Sequence, residues 1–225
     1  MARVLRTTAA LRSIWGPPCS ANRMVKVALW CCDGASIVVD SRTVKAWAAF
    51  DALAKKHGYK FRPDDTGAYV CRQITNGSGY SLHAYGIAGD FNWSTNPYFS
   101  YPVSKEGHCD MPDAFLDDVR ALKTRNGAWV FGWGGDYSSI RDFMHFEVVA
   151  SPEELATGID VSTMGEIDMP LSDADKFTIG VIVKQAIADD VTPQLQDLKN
   201  QQKRHQTWLR KALNAISQKL GIVSD

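Results

Sequence analysis

The sequence has no excess of charge of either sign: among 225 residues, 25 Lys and Arg stand against 25 Asp and Glu. No global positive field exists to hold a nucleic acid or an anionic membrane, so any partner must be recognised by a local site. Long apolar runs are also missing, because no stretch approaches the roughly 20 consecutive apolar residues that cross a bilayer. Membrane insertion is not expected. The N-terminal MARVLRTTAALRSIWGPP has the arginines of a signal peptide but only a short, Thr-broken apolar run before Arg12, and it reads as lacking a signal peptide. Synthesis in the cytoplasm is the corresponding expectation. Cysteine is scarce, odd in number and without a CxxC pair: Cys19, Cys31, Cys32, Cys71 and Cys109. Neither a complete disulfide framework nor a cysteine zinc knuckle follows, and buried free thiols are expected.

What is present is the composition of a globular protein, with 45% hydrophobic, 22% charged and 10% aromatic residues. From Ser41 onward Ala46, Trp47, Phe50, Leu53 and Ala54 recur at helical spacing, and Gly58 sits where a helix ends. Residues 67–72 form a short β-prone run, followed by the turn-rich Thr75-Asn76-Gly77-Ser78-Gly79. A second helix is predicted over 112–125 from Phe115, Leu116, Val119 and Leu122. The runs 128–133 and 144–149 read as strands on either side of Gly134-Gly135, and Ser151-Pro152-Glu153-Glu154 has the residues of a helix start. Helices and strands alternate irregularly, which predicts an α+β fold.

Beyond about residue 160 aromatics nearly vanish. The expected organisation is a first domain over 1–160 with its core at about 35–155, a linker over 161–172 and a helical C-terminal region over 173–225. In that region Val191, Leu195, Leu198, Gln202, His205, Leu209, Ala212 and Ile216 alternate in steps of four and three, and Pro193 marks the start of a continuous helix. Two readings stay open, a helix packed on the first domain or a coiled coil that self-associates or binds a protein partner.

Chemistry concentrates in Ser81-Leu82-His83-Ala84-Tyr85-Gly86-Ile87-Ala88-Gly89-Asp90 and in Asp142-Phe143-Met144-His145-Phe146-Glu147. Two imidazoles and one carboxylate make a three-ligand set that leaves the fourth tetrahedral position open, as a catalytic zinc site requires and a closed structural site does not.

Ser81-x-His83-x-x-Gly86-x-Ala88-x-Asp90 together with Asp142-x-x-His145 resembles the zinc D-alanyl-D-alanine carboxypeptidase and L-alanyl-D-glutamate endopeptidase family of peptidoglycan peptidases. That resemblance implies a Hedgehog/D-Ala-D-Ala metallopeptidase-like fold across residues 35–155 and one zinc ion per chain on His83, Asp90 and His145. It implies Asp142 as the catalytic base and Arg72 as the cation that steadies the substrate carbonyl. Many carboxypeptidase members have Glu where this chain has Asp142. Asp142 preceded by Trp133-Gly134-Gly135-Asp136 resembles instead the phage endolysins and autolysins that cut the L-alanyl-D-glutamate bond of the stem peptide. The implied protein is an endolysin made in the host cytoplasm and acting at the bacterial cell wall. The alternatives are a D-alanyl-D-alanine carboxypeptidase and, from another class, a non-catalytic zinc-stabilised binding or virion structural module.

Ser81, Trp133 and Tyr137 are the candidate substrate contacts, with core packing as the competing reading for Trp133 and Tyr137. Asn92, Trp93, Asn96, Pro97 and Tyr98 read equally as cleft wall or structural loop. His108 beside Cys109 reads as a solvated loop, and His57 suits the end of a helix dipole. Glu147, two residues after His145 on the same strand face, is a candidate for a hydrogen bond behind the metal ligands.

Overall fold

The computed structural model describes residues 7–29, 36–75, 77–160, 162, 199–200 and 202–207. The chain divides into two compact units, Met1–Thr178 and Ile179–Asp225. In the second unit residues 199–200 and 202–207 are helical and exposed. Gln202 and His205 of the expected seam fall among them; its other members, and the expected linker apart from Ser162, lie outside the described residues.

The first unit is a mixture of small antiparallel sheets and short helices. Its first helix, α1 (Thr8–Trp15), is capped by the Thr7 hydroxyl, which accepts from the Ala10 amide, and ends at Gly16 with φ 79°. Strands β1 (Met24–Ala28) and β2 (Ser36–Asp40) pair antiparallel. Asp40, fully buried at the end of β2, accepts from Arg23 Nε at 3.1 Å and from Arg42 Nη2 at 2.7 Å. Arg42 also donates to the Trp15 carbonyl and lies 4.9 Å from the centre of the Trp15 ring, which fastens α1 to the start of the next helix.

That helix, α2 (Val44–Lys56), buries Ala46, Trp47, Phe50, Leu53 and Ala54, the face its spacing predicts, and Gly58 follows with φ 63°. The Phe50 ring sits between 4.8 and 5.4 Å from those of Phe61, Phe91, Phe115, Phe131 and Phe146. Such contacts add about 0.5–1.5 kcal/mol each beyond area burial, so this cluster is the main apolar anchor.

Strands β3 (Thr66–Gly67), β4 (Ala88–Phe91), β7 (Phe131–Trp133) and β9 (His145–Val148) form a four-stranded antiparallel sheet in the order β3-β4-β9-β7. Outside that sheet, β5 (Tyr98–Phe99) pairs with β8 (Arg141–Asp142), and β6 (Lys123–Thr124) pairs with β10 (Ile159–Asp160). Helix α3 (Asp113–Ala121) stops short of the expected 125, because Leu122 turns extended and Lys123–Thr124 join β10. The β-prone run 67–72 is a strand only at its start; beyond Gly67 the chain leaves the sheet, and Cys71 bonds to Cys19. The last short helix, α4 (Pro152–Ala156), has the full capping box, with Ser151 and Glu154 bonding each other's backbone amides.

The expectation of free thiols is therefore corrected at two positions. Cys19 and Cys71 form a disulfide across a sequence separation of 52 residues. Cys109 is free, and Cys31 and Cys32 lie outside the described residues. Among the described residues no helix is long and apolar enough to cross a membrane.

Candidate metal centre

The register of the four-stranded sheet decides what each face carries. Asp90 stands opposite His145, Ala88 opposite Glu147 and Gly67 opposite Asp90, while Gly132 faces Glu147 across β7 and β9. Side chains alternate along a strand, so Asp90, His145 and Glu147 share one face with Gly67, Ala88 and Gly132. Phe91, Phe131, Trp133, Phe146 and Val148 occupy the other face, against the aromatic cluster.

His83 reaches the polar face from a short 3-10 turn, Leu82–Tyr85. Ser81 caps that turn, its hydroxyl accepting from the His83 amide at 3.3 Å, and Gly86 ends it with φ 70°. A side chain at Gly86 would meet the Asp40 backbone nitrogen at 2.6 Å, so the motif glycine is required both by its left-handed backbone and by the approach of β2.

The donor atoms converge. His83 Nδ1 lies 2.6 Å from the Ala68 carbonyl, to which it donates, and this leaves Nε2 as the coordinating nitrogen, 3.3 Å from Asp90 Oδ2. His145 presents Nδ1, 2.9 Å from Asp90 Oδ1. One ligand atom from each of His83, Asp90 and His145 lies within 4.8 Å of the others, the spacing of a group able to hold a single cation. Both imidazoles are buried and Asp90 is partly exposed, so the site opens on the carboxylate side. Two neutral nitrogens and a carboxylate, one imidazole already oriented by a backbone carbonyl, fit zinc with a coordination position left for water or substrate.

Electrostatics favour a cation there. Burial alone would raise the Asp90 carboxyl, but the hydrogen bonds and charges of His145 and His83 outweigh it and hold it well below the ordinary carboxylate range. Burial works the other way on His145, yet the hydrogen bond and charge of Asp90, reinforced by Asp142 and Glu147, keep its pKa above the ordinary value.

Asp142 comes to the site on β8, three residues before His145. Its charge acts on the His145 ring, and it packs so closely on Gly134 that a Cβ there would run into the Asp142 carbonyl oxygen and stand 2.8 Å from the Asp142 Cβ. Arg72 is exposed, its guanidinium near the Gln73 carbonyl, and its own carbonyl accepts from the Ser81 amide. The segment bearing Arg72 therefore runs beside the His83 turn.

The three candidate substrate contacts are buried and hold the site from behind. Ser81 is the cap of the His83 turn. Trp133 is on the core face, its Nε1 donating to the Phe143 carbonyl at 2.9 Å, with the Arg120 guanidinium over its ring at 4.9 Å. Tyr137 is 7% exposed and donates to Glu147 Oε1 at 3.1 Å. The loop after β4 carries two aromatics that reach solvent, Trp93 at 40% and, at its end, Tyr98 at 51%. It is held by Asn92, in the left-handed region, whose amide donates to the Lys60 carbonyl and the Tyr59 hydroxyl, and by Ser94 and Asn96 on Asp65 and Asp110. His57 pairs with Asp118 at 2.8 Å, and His108 lies exposed.

Sequence reasoning missed the Ala68 carbonyl and the Tyr137–Glu147 bond. A backbone acceptor leaves no residue signal, and a contact between side chains ten positions apart depends on the turn between β7 and β9.

No sequence among the curated proteins and no solved structure matches this chain. A family model described as D-alanyl-D-alanine carboxypeptidase matches residues 75–148, a stretch that contains His83, Asp90, Asp142 and His145 and begins after Arg72. With the donor cluster, that match supports a hydrolase of the zinc metallopeptidase kind, related to the peptidases of peptidoglycan.

Proposed function

We propose that this chain is a zinc-dependent peptidoglycan peptidase of phage-endolysin type that hydrolyses the L-alanyl-D-glutamate bond of the wall stem peptide. The observation that carries the reading is the convergence of His83 Nε2, Asp90 and His145 Nδ1 on one partly open face, with Asp142, three residues before His145 on the preceding strand, acting on the same imidazole. A zinc ion bound there supplies Lewis acidity, lowering the pKa of a water to about 7 and polarising the carbonyl to be attacked.

The protein's own groups do the rest. Asp142 takes the proton of the attacking water at its carboxylate and delivers it to the nitrogen of the departing amine, a transfer that contributes typically about 10²–10⁴-fold. Arg72 meets the negative charge that gathers on the carbonyl oxygen; one such contact is worth about 3 kcal/mol of barrier. The Ala68 carbonyl and the Ser81 cap hold His83 in place, so little reorganisation is needed when substrate arrives. The loop over 92–98, tied to Asp65 and Asp110, offers Trp93 and Tyr98 as a rigid wall beside the site.

A carboxypeptidase that removes terminal D-alanine is the second reading, favoured by the description of the matching family. Mass spectrometry of peptidoglycan digested by the zinc-loaded protein separates the two. A new D-glutamate amino terminus supports the endopeptidase, and released D-alanine replaces it with the carboxypeptidase. No cleavage of any wall type by protein that holds one zinc would leave a binding module.

A further inference from the structure

Glu147 is a buried carboxylate that the reaction above does not use. It is 4% exposed and shares a strand face with His145 two residues away. Interior carboxylates are costly unless bonded or opposed by positive charge, so its retention beside two metal ligands calls for a cause. Three features of the fold make room for it. Tyr137, itself buried, donates its hydroxyl to Oε1 at 3.1 Å. Gly132 stands directly opposite it on β7, where a Cβ would come within 3.2 Å of its Cγ and Oε1. The Tyr137 ring in turn lies 6.4 Å from that of His145, so the tyrosine stands between the carboxylate it bonds and the imidazole, on which the Glu147 charge also acts.

The two histidines also differ in their support. His83 has its outer nitrogen on the Ala68 carbonyl. His145 directs Nδ1 into the donor cluster, and the buried acid on its own strand face is Glu147. We propose that Glu147, held by Tyr137, is the positioning residue of the metal centre: it keeps the His145 imidazole oriented with Nδ1 toward the metal and places a buried negative charge behind the ligand set. This rests on the zinc-site reading above and assigns Tyr137 to the support of the metal, not to the substrate.

The test measures zinc affinity by competition with a chromophoric chelator for wild type, Glu147→Gln and Tyr137→Phe, with the visible spectrum of the cobalt(II) form and the melting temperature of the metal-free protein read in parallel. Supporting groups of this kind typically govern metal affinity by about 10–100-fold. Glu147→Gln is expected to weaken zinc binding by about that factor and to alter the cobalt spectrum, while the metal-free melting temperature stays near that of wild type. Tyr137→Phe, which keeps the carboxylate and loses one bond, is expected to show a smaller loss in the same direction, and it carries the test if the glutamine variant does not fold. Wild-type zinc affinity in both variants, or a loss matched by an equal fall in metal-free stability, overturns the proposal. If wild type binds zinc and cleaves peptidoglycan while the variants bind equally well, only the positioning role fails; if wild type binds no zinc, the site reading fails with it.

Discussion

The two faces of one four-stranded sheet differ in what they ask of the sequence. On the core face Phe91, Phe131 and Phe146 meet Trp47 and Phe50 of α2, and any well-packed apolar set of similar volume would hold the sheet. On the other face Asp90, His145 and Glu147 alternate with Gly67, Ala88 and Gly132; Asp90 and His145 are fixed by their donor atoms, and Gly132 by the space that Glu147 needs. Residues adjacent in sequence, such as His145 and Phe146, therefore serve different ends: one strand packs the core through one side and presents the donor cluster through the other.

The sharpest way to separate the site on the polar face from the core is Asp142→Asn, on the strand that leads into His145. It should lower hydrolysis by about two to four orders of magnitude while zinc content and melting temperature stay at wild-type levels, because the change removes a proton acceptor and keeps the shape. Survival of hydrolysis would move the base elsewhere. On the core face, Phe50→Ala should cost about 3–5 kcal/mol of unfolding free energy in denaturant titration, with zinc affinity unchanged in the protein that remains folded. A loss of zinc binding in proportion would mean that the faces are coupled.

Cys71→Ser tests the clasp between the segment after α1 and the stretch bearing Arg72. A cross-link closing 52 residues constrains the unfolded chain by about 4 kcal/mol in the chain-entropy view, and the variant should lose stability of that order, matched by wild type under reducing conditions. A smaller effect is expected from Ser151→Ala, which removes the capping box of α4 and should cost about 1 kcal/mol, read in the same titration.

The metal-free protein should also show a pH window. Asp90 is held below its ordinary value, so its contribution is present above the unfolded carboxylate pKa and is lost as pH falls through the lower folded value. His145 is held above its ordinary value, so its contribution is complete below the unfolded imidazole pKa and is lost as pH rises through the higher folded value. Melting temperature measured against pH in chelator should therefore peak between the two and fall on either side, and zinc should flatten the alkaline limb by replacing the proton.

Much of the metal face was legible because its chemistry is local. His83, Gly86 and Asp90 sit within one turn and one strand, and Asp142 and His145 within another, so the motif already points to His83, Asp90 and His145, the donor cluster that the fold brings together. The buried side of α2 was legible from the spacing of Trp47, Phe50 and Leu53, and the start of α4 from Ser151 and Glu154. The strand expected over 67–72 shortened because Cys71 is drawn to Cys19, a pairing that no CxxC spacing announces. Trp133 and Tyr137 stood at the right place in sequence for a cleft, but alternation along β7 turns Trp133 to the core, and the turn after it folds Tyr137 behind Glu147. Helix α1 left little trace, since it is held by Arg42 and Asp40 from far along the chain.

The central claim is that His83, Asp90 and His145 hold one zinc ion, and anomalous X-ray diffraction at the zinc edge tests it most directly. The account predicts a single peak about 2.0–2.2 Å from His83 Nε2, an Asp90 carboxylate oxygen and His145 Nδ1. A zinc-loaded crystal with no peak at this site, or with the peak on other residues, would contradict it.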